Sequence, residues 1–370
     1  MDTIQFEIFL VTVPGMETAL CEEATAVGFP TPQVVQGGVS FQGDWRDVWR
    51  ANLQLRGATR VLARIGSFRA FHLAQLDKRS RKFPWGDTLR PDMPVKVDVT
   101  TKASKIYHAK AAAQRIETAL KEEAGITIDP EATIVLKVRI DDNLCTFSLD
   151  TSGAPLHIRG HKEAINKAPM RENLAALFLR HCGYDGSEPV VDPMCGSGTF
   201  VIEAAEIAAN LAPGRTRSFA FESLASFDQA AWDALKAAQQ TRAPVQRFYG
   251  SDRDAGAIRM SQANATRAGI IDHCDFATHA ISDLVPPEGP KGLVIVNPPY
   301  GGRIGNKNLL FAVYGALGKT LLSSFAGWRV GVITSEPGLA KATKLPFKPN
   351  PLRVSHGGMG VALYQTPTLK

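Results

Sequence analysis

The sequence predicts an α/β protein: a doubly wound, mostly parallel sheet preceded by small α+β units. From residue 168 onward short apolar strands alternate with helical stretches, the pattern of a parallel sheet covered on both faces. Before residue 156, strand–helix alternation recurs over spans short enough for small two-layer units. At 370 residues, with 44% hydrophobic and 21% charged side chains, the chain has material for two or three cores.

Residues 1–60 open with a strand of partly alternating polarity, Gln5 to Val13. Pro14-Gly15-Met16-Glu17 starts a helix that runs to about Val27. Val34 to Phe41 offers a second strand, and Trp45 to Leu55 a second helix with Trp45, Val48, Trp49 and Leu53 at helical spacing. Such an order suggests a ferredoxin-like unit, with the aromatic stripe in its core. Residues 61–155 read as another small unit. Pro94 to Thr100 is a strand, Ala109 to Glu123 a helix stopped by Gly125, and Ile134–Ile140 with Leu144–Asp150 a hairpin about Asp141-Asp142-Asn143. Residues 156–167, reached through Gly153 and Pro155 and containing Gly160, read as a linker or edge hairpin.

Residues 168–370 form the doubly wound part. Arg171 to His181 is a helix with Leu174, Ala175, Leu177 and Phe178 inward. Pro189 to Asp192 is a strand and Phe200 to Ala209 a helix; Arg247 to Asp252 is a strand and Ala255 to Ala268 a helix ending at Gly269. Phe276 to Ala280 and Val294 to Val296 supply two further strands. Residues 208–246, rich in Ala and Gln and broken by Pro213-Gly214, read as an insertion between the first two strand–helix units.

The net charge is +6 and the pI near 9.0, which points weakly to a polyanion. Residues 1–155 carry 19 basic and 19 acidic side chains, yet residues 78–115 alone carry 10 against 3. Lys102, Lys105 and Lys110 bracket Tyr107 and His108 at a strand-to-helix junction, and Arg115 follows along the helix. Such residues suit either a solvated face or phosphate contact, which free N–H groups at a helix start favour. The five cysteines are scattered, with no Cys-x-x-Cys pair, so the sequence predicts neither a metal site nor a disulfide framework. Asp2 and Glu7 interrupt the first apolar stretch, and no run is long enough to span a bilayer. The expectation is a cytoplasmic protein with no membrane partner.

Asp192-Pro193-Met194-Cys195-Gly196-Ser197-Gly198-Thr199 lies between a strand and a helix. Its glycines permit a tight turn and close backbone approach, and the helix start adds N–H donors. A dinucleotide loop would want glycine at 201, where Val201 stands. Asp192 at the strand end suits a cation better than a pyrophosphate. S-adenosylmethionine, with its sulfonium, ammonium, carboxylate and ribose diol, matches both kinds of partner. Asp252, followed by Arg253, ends the second strand where a carboxylate can accept ribose hydroxyls; Asp254 reads as a helix cap. Asp283 suits an adenine amino group or a loop cap. Asn297-Pro298-Pro299-Tyr300 ends the fourth strand. Taken alone it is as good a proline-stiffened turn as a base-binding loop. In the second case the Asn297 oxygen and the Pro298 carbonyl accept from an amino group while Tyr300 stacks on the base.

Ser104-Lys105-Ile106-Tyr107-His108-Ala109-Lys110, Leu149-Asp150-Thr151-Ser152-Gly153 and Ile158-Arg159-Gly160-His161 resemble the THUMP domain of bacterial RNA methyltransferases. The resemblance implies binding of structured RNA by shape and phosphate contact, here through Lys102, Lys105, His108, Lys110 and Arg115. The order of the strand-end motifs, with Ala168-Pro169-Met170-Arg171-Glu172 upstream, resembles the class I S-adenosylmethionine-dependent methyltransferases, specifically the THUMP-containing rRNA guanine-N2 enzymes. That likeness implies a Rossmann-like sheet, S-adenosylmethionine as cofactor with Pro169, Met170 and Asn297 among its contacts, and Asn297 to Tyr300 as the catalytic loop. The implied reaction is methylation of guanine N2 in 23S rRNA. Adenine N6 in RNA or DNA and guanine N2 in tRNA remain open, because the same loop serves them. A ribosome assembly factor that binds RNA without catalysis is the non-enzymatic alternative.

Overall fold

The computed structural model describes residues 5–163, 170–301, 307–356 and 358–370. It divides into two compact units, one of Met1–Thr12, Leu20–Leu156 and Gly214–Gln239, the other of Val13–Ala19, His157–Pro213 and Gln240–Lys370. No helix among the described residues is long and apolar enough to cross a membrane.

The first unit contains β1 (Phe6–Val11), α1 (Glu17–Val27, whose first turn falls in the other unit), β2 (Gln33–Val35), β3 (Gly38–Gly43) and α2 (Trp45–Gln54). It continues with β4 (Arg60–Arg69), α3 (Leu73–Ser80), β5 (Val95–Lys102), α4 (Ala109–Ala124), β6 (Ile134–Asp141) and β7 (Leu144–Asp150). The expected strand at Val34 to Phe41 is a hairpin, folded back at Gln36-Gly37 so that Val35 faces Gly38. Strands from before and after residue 60 share one sheet, ordered β2-β3-β1-β4-β7-β6-β5. Its joint is β4, which the sequence reading did not resolve; one edge pairs with β1 and the other with β7. A bulge between Arg64 and Gly66 drops Ile65 out of register with β7.

Residues 214–239, expected as an insertion in the doubly wound part, belong to this first unit. The Gly214 N–H donates to the Leu53 carbonyl at 3.0 Å. The Trp49 ring lies 6.0 Å from Phe221 and 5.7 Å from Phe227. Periodicity identifies the aromatic face of α2, but its cover comes from more than 170 positions along the chain, as the Trp49–Phe221 contact records.

The second unit carries α5 (Glu172–His181), β8 (Val190–Asp192), α6 (Thr199–Ala208), β9 (Phe248–Asp252), α8 (Ala255–Ala268) and β10 (Cys274–Thr278); the intervening α7 (Gln229–Ala237) lies in the first unit. Then come β11 (Leu293–Val296), α9 (Lys307–Ser324), β12 (Arg329–Thr334), α10 (Pro337–Ala342), β13 (Leu352–His356) and β14 (Met359–Gln365). The sheet order is β10-β9-β8-β11-β12-β14-β13. Neighbours from β10 to β12 are parallel; β14 runs antiparallel to both β12 and β13. This is the Rossmann-like doubly wound sheet that the alternation predicts. Strand β10 begins two residues earlier than expected, because Thr278 is registered against Asp252.

Part of the expected linker is packed rather than free. Arg159 and His161 are buried in the second unit. Two carboxylates of α6, Glu203 and Glu206, are also buried; Arg159 Nε meets Glu203 at 3.2 Å and His161 Nδ1 lies 3.9 Å from Glu206. Acids facing the core of a helix require such partners, which holds residues 159–161 in place.

Candidate active site

Strand order reverses between β8 and β11, and ligands in open α/β sheets bind outside the carboxyl ends of strands at such a point. Val191 is registered against Val294, so Asp192 and the end of β11 lie on neighbouring strands, spaced ~4.8 Å apart. Asp192, Asp252 and Asn297 all stand at that edge, at or one residue past the ends of β8, β9 and β11.

The loop after β8 is braced throughout. Asp192 Oδ1 accepts from the Met194 N–H at 3.1 Å, and the Cys195 N–H donates to the Ser251 carbonyl at 2.9 Å. Asp252 Oδ2 accepts from the Gly196 N–H at 3.1 Å while its Oδ1 accepts from the Asp254 N–H at 3.0 Å. From α8, the Ser261 hydroxyl donates to the Gly196 carbonyl at 2.9 Å and the Asn264 amide to the Ser197 carbonyl at 3.0 Å. Gly198 caps α6 at φ 83°, and a Cβ there would lie 3.1 Å from Ser261. Both demands select glycine. Pro193 is buried and Met194 half-buried beside it.

Asp192 is only 2% exposed. Burial pushes its carboxyl up to about 8, the Met194 N–H draws it part of the way back, and the Asp252 charge adds a further push upward. Two neighbouring carboxylates beside the N–H groups at the start of α6 form a set that fits a sulfonium or ammonium together with ribose hydroxyls. The residues present therefore suit S-adenosylmethionine, with Asp192, Asp252 and the start of α6 as those that would hold it. Burial, then Asp192, push the Cys195 thiol well above its ordinary range, which favours its neutral form.

Asn297 is half-buried, and its Oδ1 has no hydrogen-bond partner among the described residues. Pro298 is buried and Pro299 half-buried. Tyr300 does not present the open stacking face that the sequence led us to expect. It is 1% exposed, beside the buried Tyr314 of α9. The Gly301 N–H donates to Glu336 Oε1 at 3.1 Å, and the Glu336 N–H to Thr334 Oγ1 at 3.2 Å. The chain after the prolines thus turns back onto the core, and Tyr300 anchors the loop in this conformation.

The remaining expectations fall as follows. Asp254 caps α8 through the Gly256 N–H at 2.7 Å. Arg253 and Asp283 are exposed, and Asp283 accepts from the Ser282 hydroxyl at 3.1 Å on a 3-10 turn after β10. Pro169 lies outside the described residues. Met170 is buried, and its carbonyl accepts from Lys162 Nζ at 2.9 Å. That lysine, which the motif reading missed, also donates to Thr199 Oγ1 at 2.8 Å and pairs with Glu172 at 3.2 Å. Ser261, Asn264 and Glu336 were missed too; a polar residue on an otherwise ordinary helix gives no local signal that it braces a distant loop.

In the first unit Lys102, Lys105, His108, Lys110 and Arg115 are all exposed, as is Tyr107, at 70%. Asn143 holds the loop they sit on: its Oδ1 accepts from the Lys105 N–H at 2.9 Å, and its N–H donates to the Ser104 hydroxyl at 3.0 Å.

Comparison with known proteins completes the description. The family described as RMKL-like, methyltransferase domain matches residues 159–356, and the RlmL ferredoxin-like domain matches residues 7–62. The crystal structure of a "possible methylase" from Clostridium difficile 630 is 27% identical with a TM-score of 0.88, covering 99% of each chain. A "predicted N6-adenine-specific DNA methylase" from Listeria monocytogenes str. 4b F2365 is 27% identical with a TM-score of 0.86, covering 99% of this chain and 97% of that one. SMU.472, crystallised in complex with SAH, is 26% identical with a TM-score of 0.87 over 100% of both chains.

Proposed function

The chain belongs to the family of RMKL-like methyltransferase domains, and from that premise we propose that it methylates the exocyclic amino group of an RNA base, guanine N2 in 23S rRNA. It is an S-adenosylmethionine-dependent methyltransferase. The bound cofactor supplies a methyl group activated on a sulfonium.

The observation that carries the choice of an amino group is the buried Asn297 Oδ1 at the end of β11, which has no hydrogen-bond partner among the described residues. An aromatic amine is a weak nucleophile because its lone pair is delocalised into the ring. Asn297 Oδ1 and the Pro298 carbonyl accept its two N–H bonds, draw the nitrogen towards tetrahedral geometry and turn the lone pair outward. Neither acceptor titrates near neutrality, so the loop works by orientation and preorganised dipoles. Buried Pro298 and Tyr300 keep the loop stiff and water away from it.

The match of residues 7–62 to the RlmL ferredoxin-like domain supports RNA as the substrate. So do the exposed Lys102, Lys105, Lys110 and Arg115, on the stretch that resembles a THUMP domain. The Listeria protein's description names adenine N6, and the Asn-Pro-Pro-Tyr loop serves either base. Nucleoside mass spectrometry of rRNA and tRNA from cells lacking the protein separates the readings. We expect loss of N2-methylguanosine from the large-subunit rRNA fraction. Intact N2-methylguanosine in rRNA together with a lost N6-methyladenosine would sink the guanine assignment.

A further inference from the structure

The first unit encloses a cavity of about 380 Å³ that methyl transfer does not use, a volume in the range of small-molecule pockets. Its walls include four aromatic rings, Phe6, Trp45, Trp49 and Phe83. Ile65, the residue that the β4 bulge leaves out of pairing with β7, also lines it. Phe83 lies so close on that bulge that a Cβ at Gly66 would be 2.8 Å from its ring. The bulge is therefore fitted to the wall.

Polar groups enter the same cavity. Asp44 and Asp87 bring carboxylates, and exposed Arg46 a guanidinium. Asp44 Oδ1 is committed to capping α2, at 2.8 Å from the Arg46 N–H and 3.1 Å from the Asp47 N–H. An apolar protein segment would leave all of these groups unanswered.

We propose that this cavity takes one unpaired, amino-bearing nucleobase of the RNA, away from the base that is methylated. The assignment rests on the RNA reading above. The rings give a base π faces on which to stack. Asp44 and Asp87 accept from an exocyclic amino group, and Arg46 meets the adjoining phosphate. Adenine, guanine and cytosine carry such an amino group. Uracil instead turns a carbonyl towards the carboxylates, so the site discriminates against it.

The test uses the full chain saturated with S-adenosylhomocysteine, so that the adenosine site is filled. AMP, GMP, CMP and UMP are titrated while tryptophan fluorescence is followed. The first three should give saturable changes, with UMP at least about fivefold weaker. Trp45→Leu should weaken the three at least about fivefold, and the milder Asp87→Asn should narrow the gap to UMP. The same variants should raise KM for RNA while S-adenosylhomocysteine affinity holds. Equal response to UMP, or affinities and RNA KM unmoved in both variants of an enzyme that methylates RNA, would overturn the cavity assignment alone. A wild-type enzyme that methylates DNA and not RNA overturns the functional reading, whatever the cavity binds.

Discussion

The glycine-rich loop after β8 has its polar groups tied down from within the protein, whereas the Asn-Pro-Pro-Tyr loop after β11 keeps a buried side-chain oxygen that no described residue bonds. In the first, α8 contributes Ser261 and Asn264, and β9 contributes Asp252. In the second, stiffness comes from two prolines, a buried Tyr300 and the tether from Gly301 to Glu336. A buried acceptor without a partner costs roughly 1–3 kcal/mol. In the proposed reaction a substrate amino group offsets that cost. In that proposal the first loop holds the cofactor and the second is completed only during the reaction.

The largest expected effect is on the second loop. Asn297→Ala should lower kcat by roughly 10²–10³-fold, the magnitude lost with one preorganised polar group in an active site. S-adenosylhomocysteine affinity should change little, since the first loop is intact. Near-normal kcat in the variant would remove the acceptor role and make the two loops equivalent.

The next effect belongs to the first loop and depends on pH. Asp192 is raised to about 8 from an ordinary 3.8, so without ligand the folded protein binds more protons than the unfolded one between those values. Its contribution to stability is accordingly present at low pH and lost as pH rises towards 8. A cationic ligand favours the ionised carboxyl, and binding then releases a proton. S-adenosylmethionine affinity should rise with pH up to about 8 and level off above it, by at most ~tenfold per unit. Calorimetry from pH 6 to 9 would show the slope, and Asp192→Asn should flatten it. A flat wild-type profile would mean that Asp192 does not face the cationic part of the ligand.

The smallest effect tests the tether. Glu336→Ala should lower kcat by about five- to tenfold, the worth of one ordinary hydrogen bond. Affinity for S-adenosylhomocysteine should hold, and Glu336→Gln, which keeps an acceptor oxygen, should restore most of the rate. A general loss of stability would instead lower kcat and ligand affinity together in both variants.

Much of this was legible in the chain itself. The alternation of short apolar runs with helical stretches gave the doubly wound sheet. Gly196, Gly198 and the strand-end residues Asp192, Asp252 and Asn297 marked the site, because tight turns, strand termini and proline pairs are local events with local signatures. The hairpin at Gln36-Gly37, strand β4 and the elements beyond Gly301 escaped, since mixed polarity leaves short strands indistinct until a neighbour fixes their register.

The sequence by itself determined where the chain turns and which side chains end its strands. Only the tertiary structure decided which partners those side chains meet. Lys162 against Thr199, Ser261 against Gly196 and Glu336 against Gly301 join residues 35 or more positions apart, and no periodicity in the chain encodes them. The same holds for Tyr300, whose motif suggests a stacking face while packing beside Tyr314 turns it inward. Local chemistry sets the backbone of a site. Burial, which belongs to the whole fold, decides which of its polar atoms are satisfied and which are left for a ligand.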